Sequence, residues 1–266
     1  MKIFRWLIVV SLLTFKAGDS SCQIVKTEDF YDSIKYYDLS KLWCADSMLN
    51  LDCSSNSSDP KYFTFPEPLG FIGDNFQRFE IHLLSIKKNK NNPYIYNVTG
   101  KTRVKANVSR FSGTITIDTA EIVFDTIIMS ALDAQKMKRG YAICHIAYYE
   151  DKRASAGGCL RGTMETDWCI YAGQMCYDNY ELVADGYSNN QFTGNWKSYK
   201  SGATKKCNWG DFRIPESIGL DVGTGEFIVS EKYLKNGWQN YMDTYIYSDS
   251  IKQKKEMEIE NKKWWK

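Results

Sequence analysis

The sequence predicts an all-β protein: an antiparallel meander closing into an up-and-down barrel, with short helices at its ends. A two-sheet sandwich is the alternative. Three observations lead there. Segment after segment alternates apolar and polar residues with a period of two, as in Phe76–Leu83 and Phe111–Val123. These segments follow at short spacing, separated by polar or Gly-containing turns such as Asn89–Pro93. No alternating helical pattern supports a parallel α/β sheet. A long antiparallel sheet must manage its edges, and closure removes them.

The elements are justified in chain order. Lys2 and Arg5 precede the apolar run Trp6–Phe15. That run is too short for a spanning helix, which needs roughly 20 residues, so residues 1–22 read as a secretory signal. Cleavage leaves either Cys22, lipidated as in a bacterial lipoprotein, or Gln23 at the new terminus. Export to the periplasm, the outer membrane or the medium is expected, and any membrane contact runs through a lipid on Cys22. Without residues 1–22, basic residues fall from 34 to 31 and acidic ones from 32 to 31. A near-neutral chain lacks the basic field of a nucleic-acid binder.

Roughly 245 residues remain, enough for one large β domain or two smaller ones. Residues 23–60 are a polar lead with one helix expected over Tyr31–Leu51. Residues 61–247 read as one β domain. Its strands are expected at Phe76–Leu83, Tyr94–Val104, Phe111–Val123, Tyr141–Tyr149, Gly158–Ile170, Tyr180–Tyr187 and Phe192–Tyr199, with a short one at Glu226–Val229. The stretch Tyr187–Pro215 reads as strand, loop and strand, with Trp196 and Trp209 near turn residues. Residues 248–266 are a charged tail. Glu258 and Lys262 have helical i,i+4 order, yet the tail has little apolar face, so a solvated terminus is expected.

Eight cysteines agree with an oxidising compartment. Cys169 and Cys176 flank a plausible hairpin turn and are expected to form a disulfide. Cys44 and Cys53 bracket a polar loop and form the second expected pair. Cys144, inside an apolar strand, reads as a buried free thiol. No C-x-x-C redox or zinc spacing occurs.

Catalytic signatures are absent. There is no G-x-S-x-G elbow, no P-loop and no G-x-G-x-x-G before a helix, so no cofactor is expected. Arg78, Glu80 and His82 share one strand face, with Asp74 at its mouth. Asp74, Glu80 and His82 are the catalytic candidates, and His82 with His145 the metal candidates. A solvated or internally paired face is the plainer account. Asp211 and Arg213, two apart in an extended segment, point the same way and are expected to pair. The binding candidates are Asn190, Trp196, Tyr199, Asn208, Trp209, Asp211 and Arg213, because rings beside amides and charges suit glycan and protein contacts. Tyr187, Asn189 and Trp238 belong to the same aromatic and amide set. Filling the barrel with those rings is the structural alternative.

Two resemblances accompany these residues. Phe192, Gly194 and Trp196 make an F-x-G-x-W element that resembles the signature of lipocalin-like barrels, where it belongs to the first strand rather than a late one. FIGDNFQRF (71–79), GKTRVK (100–105), ADGYSNNQF (184–192), CNWGDFRIP (207–215), DVGTGEF (221–227) and NGW (236–238) resemble blocks of a group of uncharacterised exported proteins from Bacteroidetes-type bacteria. That likeness spans roughly residues 65–245 and implies location and domain extent, without chemistry.

The expected function is a non-enzymatic binding protein of the cell envelope, engaging a glycan, a small amphipathic ligand or another protein. The alternatives are an envelope hydrolase around Asp74, Glu80 and His82, and a structural or assembly component. An open apolar lumen favours a small ligand. A filled lumen with exposed tryptophans favours a glycan or protein.

Overall fold

The computed structural model describes residues 26–51, 61–124, 137–154, 156–246 and 250–266. The expected signal, Cys22 and Cys53 lie outside these residues. The protein is all-β, built on one large curled antiparallel sheet with a few short helices.

The first strand, β1 (Lys26–Asp29), pairs β8 (Asn107–Phe124) of the sheet. Two single-turn helices follow, α1 (Tyr31–Ile34) and α2 (Ser40–Trp43), then a small hairpin of β2 (Ser47–Leu49) and β3 (Tyr62–Thr64). The helix expected over Tyr31–Leu51 is thus two turns and a strand. Local side-chain bonds explain the break: Asp29 accepts the Tyr31 N–H at 2.9 Å, and Asp38 accepts the Ser40 N–H at 3.0 Å. Aspartates that bond backbone two residues on favour turns over helix interiors.

The remaining strands are β4 (Leu69–Ile72), β5 (Gln77–Arg78), β6 (Glu80–Lys88), β7 (Ile95–Val104), β8 (Asn107–Phe124), β9 (Met137–Glu150), β10 (Gly158–Tyr171), β11 (Gln174–Tyr177), β12 (Asn189–Ser198) and β13 (Thr204–Asp211). Their order is β5-β4-β13-β12-β10-β9-β8-β7-β6, with β11 a hairpin partner of β10. Apart from β1, which pairs β8, and β11, neighbours in the sheet are neighbours in sequence, except where β13 meets β4. The sheet curls into a half-barrel whose two ends are tied by consecutive chain. β5 pairs β4, Phe79 donates its N–H to Gly70 at 2.9 Å, and β6 then pairs β7.

Parity decides what fills the interior. Phe79, Ile81, Tyr96, Val98, Phe111, Ile115, Cys144, Ile146, Tyr148, Leu160, Met164, Phe192 and Trp209 alternate inward and join one core. In β8 a bulge between Ile117 and Thr119 resets the alternation, so Ile115 and Ile117 are followed inward by Ala120 and Ile122. Gly162 and Gly194, opposed across β10 and β12, lie against the Phe192 ring, where a Cβ would collide with it. Small residues there admit the large ring.

The expected strand at Tyr180–Tyr187 is a series of turns, and the strand lies earlier, at β11. The Tyr187 hydroxyl reaches back to the Asp178 carbonyl, which folds the segment on itself. Asn208-Trp209-Gly210, within the stretch read as strand, loop and strand with Trp209 near turn residues, lies inside β13. Glu226–Val229 forms no strand, only a single bridge from Val229 to Asp221.

A second core lies outside the sheet. Residues after β13 cross its outer face, including a 3-10 helix (Glu231–Asn236) and α3 (Gln239–Ile246). Ile214, Leu220, Phe227, Trp238 and Tyr241 pack there on Phe71. The charged tail is largely exposed, as expected, yet it is docked at a few side chains. Helix α4 (Ser250–Glu260) brings Glu260 onto the Arg78 guanidinium, and beyond it the Trp265 ring stacks on His82 at 3.7 Å. Arg103 lies 5.0 Å from the Trp264 ring centre. No helix among the described residues is long and apolar enough to cross a membrane.

Candidate functional site

The two ends of the half-barrel differ. One is plugged by the N-terminal turns, with Ile34, Leu39, Leu42 and Trp43 buried beneath it. The plug is tied in by polar bonds: Leu39 N–H to the Tyr96 hydroxyl at 3.0 Å and Trp43 Nε1–H to Thr166 Oγ1 at 2.8 Å.

A buried network continues from the plug. Thr166 donates to Asn190 Oδ1 at 2.9 Å; Asn190 Nδ2 donates to the Leu42 carbonyl and to Asp211 Oδ2; the Tyr177 hydroxyl donates to the same Asp211 oxygen at 2.9 Å. A bulge between Asn189 and Phe192 makes this possible, and Asn190 takes a φ of 49°, which Asn tolerates better than most residues. Burial pushes the Asp211 carboxyl up to about 7.

The other end is open. A recess of about 310 Å³ enters the interior there. Ile72, Phe79, Val104 and Trp196 give it apolar walls, and Lys105 and Lys205 also line it. Glu150 sits in this recess with only 6% of its surface exposed. Its Oε2 accepts the Gly158 N–H at 2.8 Å and the Trp196 indole N–H at 2.9 Å, and its Oε1 accepts the Thr102 hydroxyl.

The expected binding residues do not converge. Trp196 alone lines the recess. Trp209 is buried and stacks on Phe192 at 3.5 Å, which makes it interior filling. Asn190 and Asp211 belong to the plugged end. Asn208 is fully buried under the crossing segment and donates to the Pro215 carbonyl at 2.9 Å. Asp211 and Arg213 do not pair: Arg213 holds the Gly223 and Glu226 carbonyls and lies 3.5 Å from Asp221. Tyr199 is half-buried, its hydroxyl without a partner.

The catalytic and metal candidates are also separated. Glu80 pairs with Arg103, and His82 Nδ1 lies 2.9 Å from Glu67 beneath Trp265. His145 is exposed on β9, three strands from β6 in the sheet order. Asp74 is exposed in the turn before β5. Among the described residues no group of three or more His, Cys, Asp or Glu is placed to hold a metal.

Sequence reasoning missed Glu150, although its parity points inward. It continues the inward series Gly140, Ala142, Cys144, Ile146, Tyr148, and a charged residue at the end of such a series faces the interior. Thr102 and Lys205 carry no comparable signal, because their nearness to Glu150 depends on sheet order.

A second recess of about 270 Å³ is acidic, lined by Asp167, Asp178, Glu181 and Asp185 with Arg139 among them. Arg139 bonds Asp178 at 2.6 Å and Glu181 at 2.8 Å. Burial, then the charge of Asp178, raises the Asp167 carboxyl to about 7.

Cys169 and Cys176 face each other directly across the β10–β11 hairpin, as free thiols rather than the expected disulfide. Cys44 is also free and donates its S–H to the Leu83 carbonyl at 3.1 Å. The bond between the two facing thiols lowers Cys176 to about 7 and raises Cys169, which is buried. Burial first, then the negative charge of Asp118 for Cys144 and of Glu150 for Cys207, raises these two thiols. Cys176 is therefore expected to react first with iodoacetamide at pH 7 in the reduced protein, ahead of Cys144 and Cys207. Peptide mass mapping over time reads the order, and modification of Cys144 at the same rate would contradict it.

No protein-family model matches this chain, and neither a curated protein nor a solved structure matches it.

Proposed function

We propose that the protein is a non-enzymatic binding protein of the cell envelope, and that the open end of the half-barrel holds a small amphipathic ligand. One observation carries this reading. An interior otherwise filled by side chains opens into a single-ended recess with apolar walls, one indole and one buried carboxylate. Binding sites for small molecules combine mostly apolar linings with a few placed polar groups, in cavities of ~300–1,000 Å³. The recess lies at the lower limit of that range, so the ligand is compact.

A filled lumen with exposed tryptophans would favour the glycan and protein readings. Among the described residues no tryptophan is exposed: Trp43, Trp168, Trp209 and Trp238 are buried, and Trp196, Trp264 and Trp265 are half-buried. The hydrolase reading needed a shared carboxylate and histidine site, and those residues have separate partners.

The test is a ligand-observed NMR screen of small amphipathic compounds against the wild type and Trp196→Ala. Compounds that bind the wild type are expected to lose about tenfold or more in affinity in the variant, since truncating a buried aromatic anchor costs ~2 kcal/mol or more. Equal affinity in a folded variant would place the site elsewhere. Export rests on the basic and apolar N-terminal run together with the likeness to exported proteins. The mass of the native N-terminus checks it, and an intact Met1 on the mature protein would contradict it.

A further inference from the structure

We infer that the ligand of the open recess is a compact zwitterion, with an ammonium group seated against Glu150, an apolar body, and an anionic group facing Lys105 and Lys205. This deepens the ligand-binding reading and rests on it.

The argument starts from Glu150. Its carboxylate is almost fully removed from water. Its three recorded partners, the Thr102 hydroxyl, the Gly158 N–H and the Trp196 indole N–H, are all neutral donors. They fix the carboxylate without cancelling its charge. A buried charge is costly unless it is paired as well as hydrogen-bonded. The cavity beside it supplies room for the missing cation. The donors use three of roughly four acceptor positions on a carboxylate, which leaves one for an ammonium N–H.

The walls select the rest of the molecule. Trp196 is held by its N–H to the carboxylate, so its indole lies beside the place a cation would occupy. Ile72, Phe79 and Val104 offer nothing but apolar contact. Lys105 and Lys205 line the same recess. They repel a second cationic group and attract an anion, so a carboxylate or phosphate at the far end of the ligand completes the charge pattern. An all-apolar ligand would leave Glu150 buried and unpaired. A simple anion would meet it head on.

Three probes of matched length decide the matter by isothermal titration: 6-aminohexanoate, hexanoate and 1-hexanol. The expected result is that 6-aminohexanoate binds at least tenfold tighter than either of the others. In Glu150→Gln that advantage is expected to disappear while 1-hexanol binds as before. The ranking on the wild type stands even if this variant does not fold. Hexanoate or 1-hexanol binding as tightly as the amine overturns the charge assignment and leaves the ligand site intact. Absence of binding by all three at millimolar concentration, together with no hit in the broader screen, overturns the ligand site itself.

Discussion

Trp209→Ala is expected to cost ~3–5 kcal/mol of stability, the range for removing a buried aromatic from a packed core. Trp209 is 4% exposed and stacks on Phe192, with Phe79 at 5.9 Å and Tyr148 at 6.4 Å between ring centres. It joins the two strands nearest the β13–β4 contact to the inner face of β9. Domains of this kind have only ~5–15 kcal/mol to lose, so the variant should unfold at far lower urea than the wild type. Trp209→Phe keeps a ring in place and should lose less. An unchanged midpoint for the alanine variant would show that Trp209 does not fill the core.

The second large effect is on the pH dependence of stability. The Asp211 carboxyl is raised from 3.8 to about 7, first by burial, with the bonds from Asn190 and Tyr177 opposing. Its Oδ1 has no partner, so ionisation leaves charge on an unsolvated atom. The folded state therefore holds a proton that the unfolded chain gives up near pH 4. Stability is full below that pH, falls as pH rises through about 7, and levels off above it. At ~1.4 kcal/mol per unit the loss is on the order of a few kcal/mol. Asp167, also raised to about 7, contributes in the same direction. Asp211→Asn is expected to be more stable than the wild type at pH 8 and to show a shallower fall between pH 5 and 8. Urea midpoints across that window read both. A variant with the wild-type slope would mean that Asp211 stays ionised in the fold.

The strands β7 to β10 and β12 were readable because each is long and one face meets the interior, so the period of two survives; of β6 only the first half was, because the expected strand Phe76–Leu83 runs across β5 and ends before Lys88. β4 was not, because its four residues are covered on both faces: Gly70 and Ile72 inward, Phe71 under the outer core. Tyr180–Tyr187 has the residues of a strand, yet its backbone is folded into turns over the acidic recess. The tail looked solvated because its docking depends on single contacts, Glu260 to Arg78 and Trp265 to His82, rather than on an apolar stripe. Those contacts also cover the strand face that carries Arg78 and His82. In the site, Trp196 was visible through its ring, whereas Glu150, one residue beyond the strand read as Tyr141–Tyr149, was missed although its parity points inward. Their mutual bond was not visible, because it joins β9 to β12 across β10.

The pairing of β13 with β4 sets a constraint on how the chain reaches this state. Ile72 meets Cys207, and Leu69 meets Gly210. As the polypeptide leaves the ribosome, β6 to β10 can zip together hairpin by hairpin, each closing over a short separation. Strand β4 must wait, unpaired on that side, until the residues near position 211 have emerged. Contacts this distant in sequence delay folding, because loop closure comes before any reward. During that interval Phe79, Tyr148 and Phe192 have no Trp209 to lie against. A chain that stops at Ser198 would keep its hairpins and present this greasy wall to its surroundings, so premature termination should yield aggregates rather than a smaller working protein.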